Sequence, residues 1–312
     1  MSSALADGAV ATPTATTCPG CGTVAERPRV LLRGRDRLTG APGSFAVLAC
    51  PGCGLAFTYP RLGPEDFATY YPESYSAYEP NLSGRPSLGE RLGSLQRRAI
   101  ARFGPYRRIW QRPAGRLLDV GCGTGELAGV FAGRGWSVAG IEPSAAAAAH
   151  ARALGVEAVT GTLADAPWPE GEFDAITFNH SLEHIDDPAA AVAAAARLLR
   201  PGGLLAIAVP NFGGWQRQLF GSAWFQLDLP RHLQHFDRDS LSALVEAAGL
   251  RPVESSAATM RPSPLGSLQY AAFGRLRFEG RGFRLGAWAL APLLFLVDRL
   301  FAGDCLHLVA ER

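Results

Sequence analysis

Lysine is missing from this chain of 312 residues; all 30 of its basic side chains are arginine. Against 28 acids they leave a formal net charge of +2, which excludes the basic excess that a nucleic-acid-binding surface needs. A cation set made of arginine fits recognition of phosphate or carboxylate. No apolar run reaches the roughly 20 residues of a membrane-spanning helix. Residues 1–17, MSSALADGAVATPTATT, have neither a basic start nor a long apolar core, so they exclude a secretory signal and read as a disordered tail. The expected location is the cytoplasm. Charged residues make up only 19% of the chain and hydrophobic ones 47%, which excludes wholesale disorder. The length allows one sizeable core plus a smaller module.

Cysteine is scarce too, with six residues, but four of them form two identical CPGCG stretches, Cys18/Cys21 and Cys50/Cys53. In a reducing compartment two such pairs read as a metal site, neither a disulfide framework nor a redox pair. Four thiolates close a tetrahedral set with no open position, so the metal is expected to be a structural zinc. Gly20 and Gly52 relieve crowding at the knuckles, and Gly22 and Gly54 permit a positive φ. Residues 18–58 are thus expected to form a zinc-ribbon module, with short strands from VLLRGRD and SFAVLAC. Residues 59–112 read as a linker and cap. Their tract FATYYPESYSAYEP and the amphipathic stretch LGERLGSLQRRAIARF stand out. Tyr71 and Tyr75 are candidates to line an acceptor pocket; packing of the linker against the main domain is the alternative.

From Arg116 strand and helix patterns alternate, which predicts a parallel sheet with helices on both faces. The predicted strands are RLLDVG, WSVAGIEP, VEAVTG, FDAITFNH and LLAIAVPN. A helix over DPAAAVAAAARLLRPGG should stop at its Pro-Gly-Gly, and Asp237 should cap the helix DRDSLSALVEAAGL. A sixth strand lies near PVESSAATM, and DCLHLVAER is expected as an antiparallel edge strand.

The turn after the first of these strands, LLDVGCGTG, holds Gly121, Gly123 and Gly125 in a G-x-G-x-G spacing that differs from the dinucleotide fingerprint. Bare backbone there can approach a ligand at a helix start. Glu142 ends the second strand, where a carboxylate can accept both hydroxyls of a ribose. Asp165 follows the third strand, where it can hold an adenine amino group. Asn179, His180, Glu183 and His184 follow the fourth. His232 and His235 lie in DLPRHLQHF after the fifth, so the two histidine pairs should face one cleft at the carboxyl edge of the sheet. Arg231 can hold a carboxylate or phosphate of an acceptor.

With LLDVGCGTG, IEPS, FDAITFNHSLEHIDDP and LLRPGG in order and spacing, the chain resembles the class I S-adenosylmethionine-dependent methyltransferases. The likeness covers about two thirds of it, from Leu117 to the end. The resemblance implies an α/β Rossmann-like fold for residues 113–312, with a seven-stranded, mostly parallel sheet whose last two strands form a hairpin. It implies S-adenosylmethionine as cofactor, with Asp119, Gly121 and Gly123 around its amino-acid part and Glu142 at its ribose. Cys122, Gly125, Pro143, Asp165 and Asn179 complete the cofactor set, Cys122 as a small filler and not a nucleophile. His184 and His232 are the candidate general bases, with a structural hydrogen bond as the alternative for each. Tyr71, Tyr75, His180, Arg231 and His235 are assigned to the acceptor side. Some quinone O-methyltransferases carry a glutamate at the position of His180 and are thought to use a divalent ion. Here that implies a minor alternative with His180, Glu183 and His184 as ligands. A cysteine-paired ribbon ahead of the domain is similar to some deoxysugar C-methyltransferases, and the main domain to the ubiquinone-pathway O-methyltransferases.

The expected activity is O-methylation of a small-molecule acceptor: a sugar, a natural product or a lipid-linked intermediate. C-methylation of a sugar or ketone is the alternative, weakened because the chain shows no further large C-terminal domain. Methylation of a peptide or protein and a non-enzymatic cofactor-sensing role are the others. Residues at about 258–303 form an insertion where a hairpin needs about 2–5 residues. Arg275, Arg277, Arg281 and Arg284 there precede an apolar run, Ala287 to Val297, interrupted by Pro292. This reads either as a lid or dimer helix or as a peripheral membrane contact. Sequence leaves a monomer and a homodimer equally open.

Overall fold

A computed structural model describes residues 10–63, 66–71, 98–99, 101–278 and 280–312. Tyr75 and most of the amphipathic stretch at 88–103 lie outside the described residues. Two short strands, β1 (Ala15–Thr17) and β2 (Val24–Glu26), pair antiparallel around the first cysteine knuckle. Residues 15–17 therefore belong to the ribbon and not to the expected tail. Strands β3 (Arg29–Gly34), β4 (Phe45–Ala49) and β5 (Ala56–Tyr59) make an antiparallel meander. Helix α1 (Phe67–Tyr70) and helix α2 (Arg107–Trp110) follow.

The alternating region supplies β6 (Arg116–Val120), α3 (Glu126–Ala132), β7 (Ser137–Glu142), α4 (Ala145–Ala153) and β8 (Glu157–Thr160). It continues with β9 (Phe173–Asn179), α5 (Pro188–Leu198), β10 (Leu199–Pro210), α6 (Trp215–Phe220), β11 (Gln234–His235) and α7 (Arg238–Ala247). Strand β12 (Arg251–Ala258), helices α8 (Ser263–Phe273), α9 (Gly280–Ala289) and α10 (Ala291–Leu300), and β13 (Cys305–Glu311) complete the chain. The insertion between β12 and β13 is thus helical. No helix among the described residues is long and apolar enough to cross a membrane.

The main sheet has seven strands in the order β12-β13-β10-β9-β6-β7-β8. All pairs are parallel except β10/β13 and β12/β13. Alternation along each strand feeds two cores. Leu118, Ile176 and Ile207 point to the side covered by α5 and α7, while Leu117, Ala175 and Ala206 point to the side covered by α3 and α4. Helix starts follow local chemistry. Ser144, Asp187 and Asp237 each accept a backbone N–H of the first turn, at 3.3, 2.8 and 2.9 Å. The Asp237 cap agrees with the sequence.

Two expectations change. The last strand is antiparallel but not at the edge: β13 inserts between β10 and β12, and β12 is the edge. Leu306, Leu308 and Ala310 share one face, Cys305 and Val309 lie on the other, and all five are buried, as a strand covered on both faces requires. The helix ahead of β10 ends at Leu198, and Arg200 to Gly203 already belong to the strand.

The ribbon is welded to the main domain. Strand β11, from the loop after β10, pairs antiparallel with β5 and completes a second sheet, β11-β5-β4-β3. Leu48 and Phe57 of that sheet share one hydrophobic core with Val209, Phe236 and Leu306.

Candidate active site and cysteine cluster

The turn after β6 is built for close approach. At Gly121, φ is 71° and an added Cβ would lie 2.5 Å from Cβ of Ser181, so the loop after β9 presses on the turn. At Gly123, φ is 52° and an added Cβ would meet nothing within 4 Å, so that face of the backbone is open. Two buried carboxylates stand beside it. Asp119, 2% exposed, accepts a hydrogen bond from Thr177 Oγ1 at 2.7 Å. Burial, and then the nearby Glu142 charge, lift its pKa to about 7 against the pull of that hydrogen bond. Glu142, 5% exposed, accepts the N–H of Gly123 on Oε2 at 3.0 Å and that of Ser144 on Oε1 at 2.9 Å. Each of its oxygens keeps a second lone pair for a hydroxyl.

Other members of the expected cofactor set have more local roles. Asp165 is exposed and its Oδ2 accepts from the N–H and hydroxyl of Thr162 at 3.1 and 3.0 Å, closing a capping turn. Only Oδ1 remains for a ligand. Cys122 is buried against Gly140, where a Cβ would lie 2.6 Å from its Sγ, and burial pushes its thiol well up. It is a filler. Gly125 is the N-cap of α3, and Pro143 is exposed just past β7. Asn179, at the end of β9, accepts the Tyr106 hydroxyl on Oδ1 at 2.6 Å.

One histidine from each expected pair reaches a common place. The rings of His184 and His232 meet edge to face with centroids 4.7 Å apart. His184 Nδ1 lies 3.0 Å from the carbonyl oxygen of Arg231, and His232 Nδ1 lies 2.9 Å from that of Gln226. A carbonyl only accepts, so both Nδ1 atoms carry hydrogen, and in its neutral form each ring presents a bare Nε2. Burial, and then the adjacent His184, lower the His232 pKa to about 4. Asp228 Oδ2 stands 4.0 Å from its Nε2. The Tyr71 hydroxyl is 3.2 Å from His184 Nδ1 and 3.3 Å from the Arg231 carbonyl oxygen, so Tyr71 buttresses His184.

The other two histidines are occupied elsewhere. Thr58 donates its hydroxyl hydrogen to the His232 carbonyl at 2.6 Å, so it must accept from His235 Nε2 at 2.9 Å. Burial, and then His232, take the His235 pKa down to about 3. This neutral, satisfied ring joins β5 to β11 and does not line an acceptor pocket. His180 has φ 52°, an uncommon conformation for a residue with a side chain. Its Nδ1 is 3.3 Å from Glu183 Oε1 and its Nε2 is 3.6 Å from Cys305 Sγ, which is also 3.2 Å from His307 Nε2. Burial opposes the His180 charge, but the Cys305 thiol and Glu183 beside it push its pKa up. Burial would likewise raise Glu183, yet the His180 imidazole and then His184 and His232 hold it down to about 2. The ligand set weighed for a divalent ion changes accordingly. One atom each of Glu183, His184 and His232 lies within 4.8 Å of the others, with His232 in place of His180.

Arg231 is also a correction. Sequence placed it at the acceptor, but its side chain is 0% exposed and already engaged. Nη1 and Nη2 donate to the two oxygens of Asp36 at 3.1 and 2.8 Å, Nε donates to Asp228 at 3.0 Å, and Nη1 reaches the Tyr70 carbonyl at 3.1 Å. A buried guanidinium needs such pairing. It fastens the ribbon to the loop that carries His232.

At the other end of the ribbon the four expected cysteines converge. Cys18 Sγ is 3.6 Å from Cys53 Sγ and Cys21 Sγ is 3.6 Å from Cys50 Sγ, and all four sulfurs lie within 4.8 Å of one another. The N–H groups of Gly20 and Gly52 point at Cys18 and Cys50 sulfurs at 3.4 and 3.3 Å. Gly22 and Gly54 have φ 73° and 76°, as the knuckle spacing predicts.

A family model described as a methyltransferase domain matches residues 89–255. The chain belongs to this methyltransferase family. A ubiquinone biosynthesis O-methyltransferase of Thiobacillus denitrificans is 34% identical to it over 161 residues, covering 47% of this chain and 69% of the relative. A probable S-adenosylmethionine-dependent methyltransferase of Mycolicibacterium smegmatis is 32% identical over 167 residues, covering 53% of this chain and 62% of that one. Among solved structures, a SAM-dependent methyltransferase from Archaeoglobus fulgidus aligns with a TM-score of 0.50 and 15% identity, over 70% of this chain and 94% of that one. At that identity the likeness concerns the fold alone.

This is an S-adenosylmethionine-dependent methyltransferase with a Rossmann-like, seven-stranded domain. The residues present fit the cofactor: an open glycine backbone at Gly123 with two buried carboxylates suits a ribose and a cationic sulfonium. Three partners of the expected residues gave no usable signal in the sequence. Tyr106 carries no local pattern, Cys305 stood out only in the cysteine count, and Asp36 lies 195 residues from its partner Arg231.

Proposed function

We propose that this methyltransferase alkylates an oxygen of a small-molecule acceptor, with His184 as general base and His232 as its partner. The observation that carries the reading is the pair of backbone-anchored imidazoles, each with Nδ1–H on a carbonyl and Nε2 bare. S-adenosylmethionine, when bound, supplies an electrophilic methyl group on a sulfonium. The protein's part would be to bind and align it through Asp119, Glu142 and the Gly121–Gly125 turn, and to take the hydroxyl proton of the acceptor onto His184 Nε2 as the methyl carbon exchanges its bond to sulfur for one to that oxygen, leaving a neutral thioether. Tyr71 and the Arg231 carbonyl fix the ring that accepts the proton. The names of the ubiquinone-pathway relatives favour oxygen over carbon. A sugar, a natural product or a lipid-linked intermediate all suit such a base.

The cysteine cluster supports a structural zinc held by Cys18, Cys21, Cys50 and Cys53. Sulfurs 3.6 Å apart suit a tetrahedron of Zn–S bonds of about 2.3 Å. The zinc would act on folding and on nothing at the reacting atoms.

Calorimetry with the demethylated cofactor, followed by a screen of hydroxylated acceptors for S-adenosylhomocysteine release, tests the reading. Product analysis assigns the methylated atom. Absence of cofactor binding, a carbon-methylated product, or full turnover in His184→Ala would each overturn it.

A further inference from the structure

We propose that the helical insertion between β12 and β13 docks the enzyme on an anionic lipid bilayer surface. Such docking does not depend on which acceptor atom is methylated. Helix α10 turns Leu294 inward, while Leu293, Leu296 and Leu300 are exposed at i, i+3 and i+7 and so form one stripe. Leu296 and Leu300 are 60% and 79% exposed. The helix is held in place from its other side, where Asp298 accepts the backbone N–H and the hydroxyl of Thr259 at 2.7 and 2.5 Å. The leucine stripe is therefore presented to the outside by a fixed helix.

A second apolar group stands at the end of α8, where Phe273 and Phe278 are both exposed with ring centroids 6.1 Å apart. Cations surround it. Arg277 lies over the Phe273 ring at 5.2 Å, Arg275 is exposed beside it, and Arg35 of the ribbon lies by Gly274. Between residues 261 and 303 the chain has six arginines and two acids. One of those acids is Asp298, already engaged with Thr259.

The phenylalanine pair with arginine beside it complements a bilayer with anionic headgroups, and the leucine stripe adds apolar surface: the apolar chains enter the acyl boundary and the guanidinium groups meet phosphate. The insertion is far short of a span, so the contact is peripheral. Its position suits delivery of an amphiphilic acceptor. Helix α8 packs against Phe225, in the loop that leads to His232, with the Phe225 N–H donated to Ser267 Oγ at 3.0 Å.

Sedimentation of the full chain with phosphatidylglycerol-rich and with pure phosphatidylcholine vesicles tests the proposal. Binding is expected to the first, weakened by high salt, and to be much poorer to the second. Each basic side chain near such a surface contributes about 1 kcal/mol, so Arg275→Gln with Arg277→Gln should weaken partitioning about thirtyfold. Leu296→Glu with Leu300→Glu should abolish it and leave cofactor binding intact. Light scattering run in parallel identifies the rival occupant, a second copy of this chain. No vesicle binding, binding indifferent to either variant pair, or a dimer that the leucine variants dissociate while vesicle binding persists would overturn the proposal. Because all four substituted side chains are exposed, the arginine pair keeps the test valid even if the leucine pair misfolds.

Discussion

His184 and His232, from loops that follow two different strands, stand edge to face with centroids 4.7 Å apart, and each hangs from a backbone carbonyl by Nδ1. The pairing joins the loop after β9 to the loop after β10 at the carboxyl edge of the sheet. A proton can therefore be received at Nε2 without disturbing the bonds that aim the rings.

His184→Ala should lower kcat by about 100- to 10,000-fold, the range for loss of a general base, with the cofactor Kd unchanged. His232→Ala should cost less if it only partners His184. Single-turnover methyl transfer beside calorimetry checks both. Tyr71→Phe removes the buttress but keeps the ring, so a small loss in kcat is expected from it.

Glu142→Ala should weaken S-adenosylmethionine binding by about ten- to a hundredfold, the worth of a charge-assisted hydrogen bond. Asp165→Ala should have a smaller effect, because one of its oxygens already serves Thr162. Titration calorimetry on the two variants distinguishes them.

Asp119 gives a pH signature. Its pKa in the ligand-free fold, about 7, lies above the ordinary carboxyl value, so the folded state binds the extra proton. Its contribution to stability is present at low pH and is lost as pH rises from about 4 towards about 7. A cationic cofactor favours the ionised form, so affinity should fall as pH drops below about 7, with proton release on binding. Asp119→Asn should flatten both profiles. Denaturation across pH and calorimetry in buffers of different ionisation heat measure them.

Arg231→Ala should destabilise the fold by about 3–5 kcal/mol, since it strands the buried Asp36 carboxylate. Arg231→Lys should rescue little, because an ammonium cannot span both oxygens of Asp36 while also meeting Asp228. Urea denaturation gives both values. Retention of wild-type stability in the alanine variant would contradict the fastening role.

Cys50→Ser or strong chelation should remove one zinc per chain and lower the melting temperature. Turnover should fall as well, because β5 and Asp36 hold the loop of His232. Metal analysis with thermal unfolding and activity on the same samples tests the chain of cause. A chelated protein with unchanged melting would remove the zinc from the fold.

Local order and spacing in the sequence were enough for the parallel strands, the glycine turn, the Asp237 cap and the two cysteine knuckles. Each depends on residues within a few positions: a buried strand needs a run of apolar residues, a knuckle needs Cys-x-x-Cys with glycine where φ turns positive. The two acids at strand ends were legible for the same reason. Which histidines meet was decided by the tertiary structure alone. All four sit in short polar stretches that look alike, and only the pairing of β11 with β5 turns His235 to Thr58 and leaves His232 facing His184. Arg231 reads as a ligand-binding cation until Asp36 closes on it from the ribbon. The place of β13 inside the sheet likewise depends on which neighbours cover it, a fact that lies far along the chain from the strand itself. Sequence therefore fixed the donors and their local geometry, because those are set by short-range sterics and hydrogen bonding. Folding assigned the partners, because a buried charge or ring is satisfied by whatever distant group the packing brings within about 3 Å.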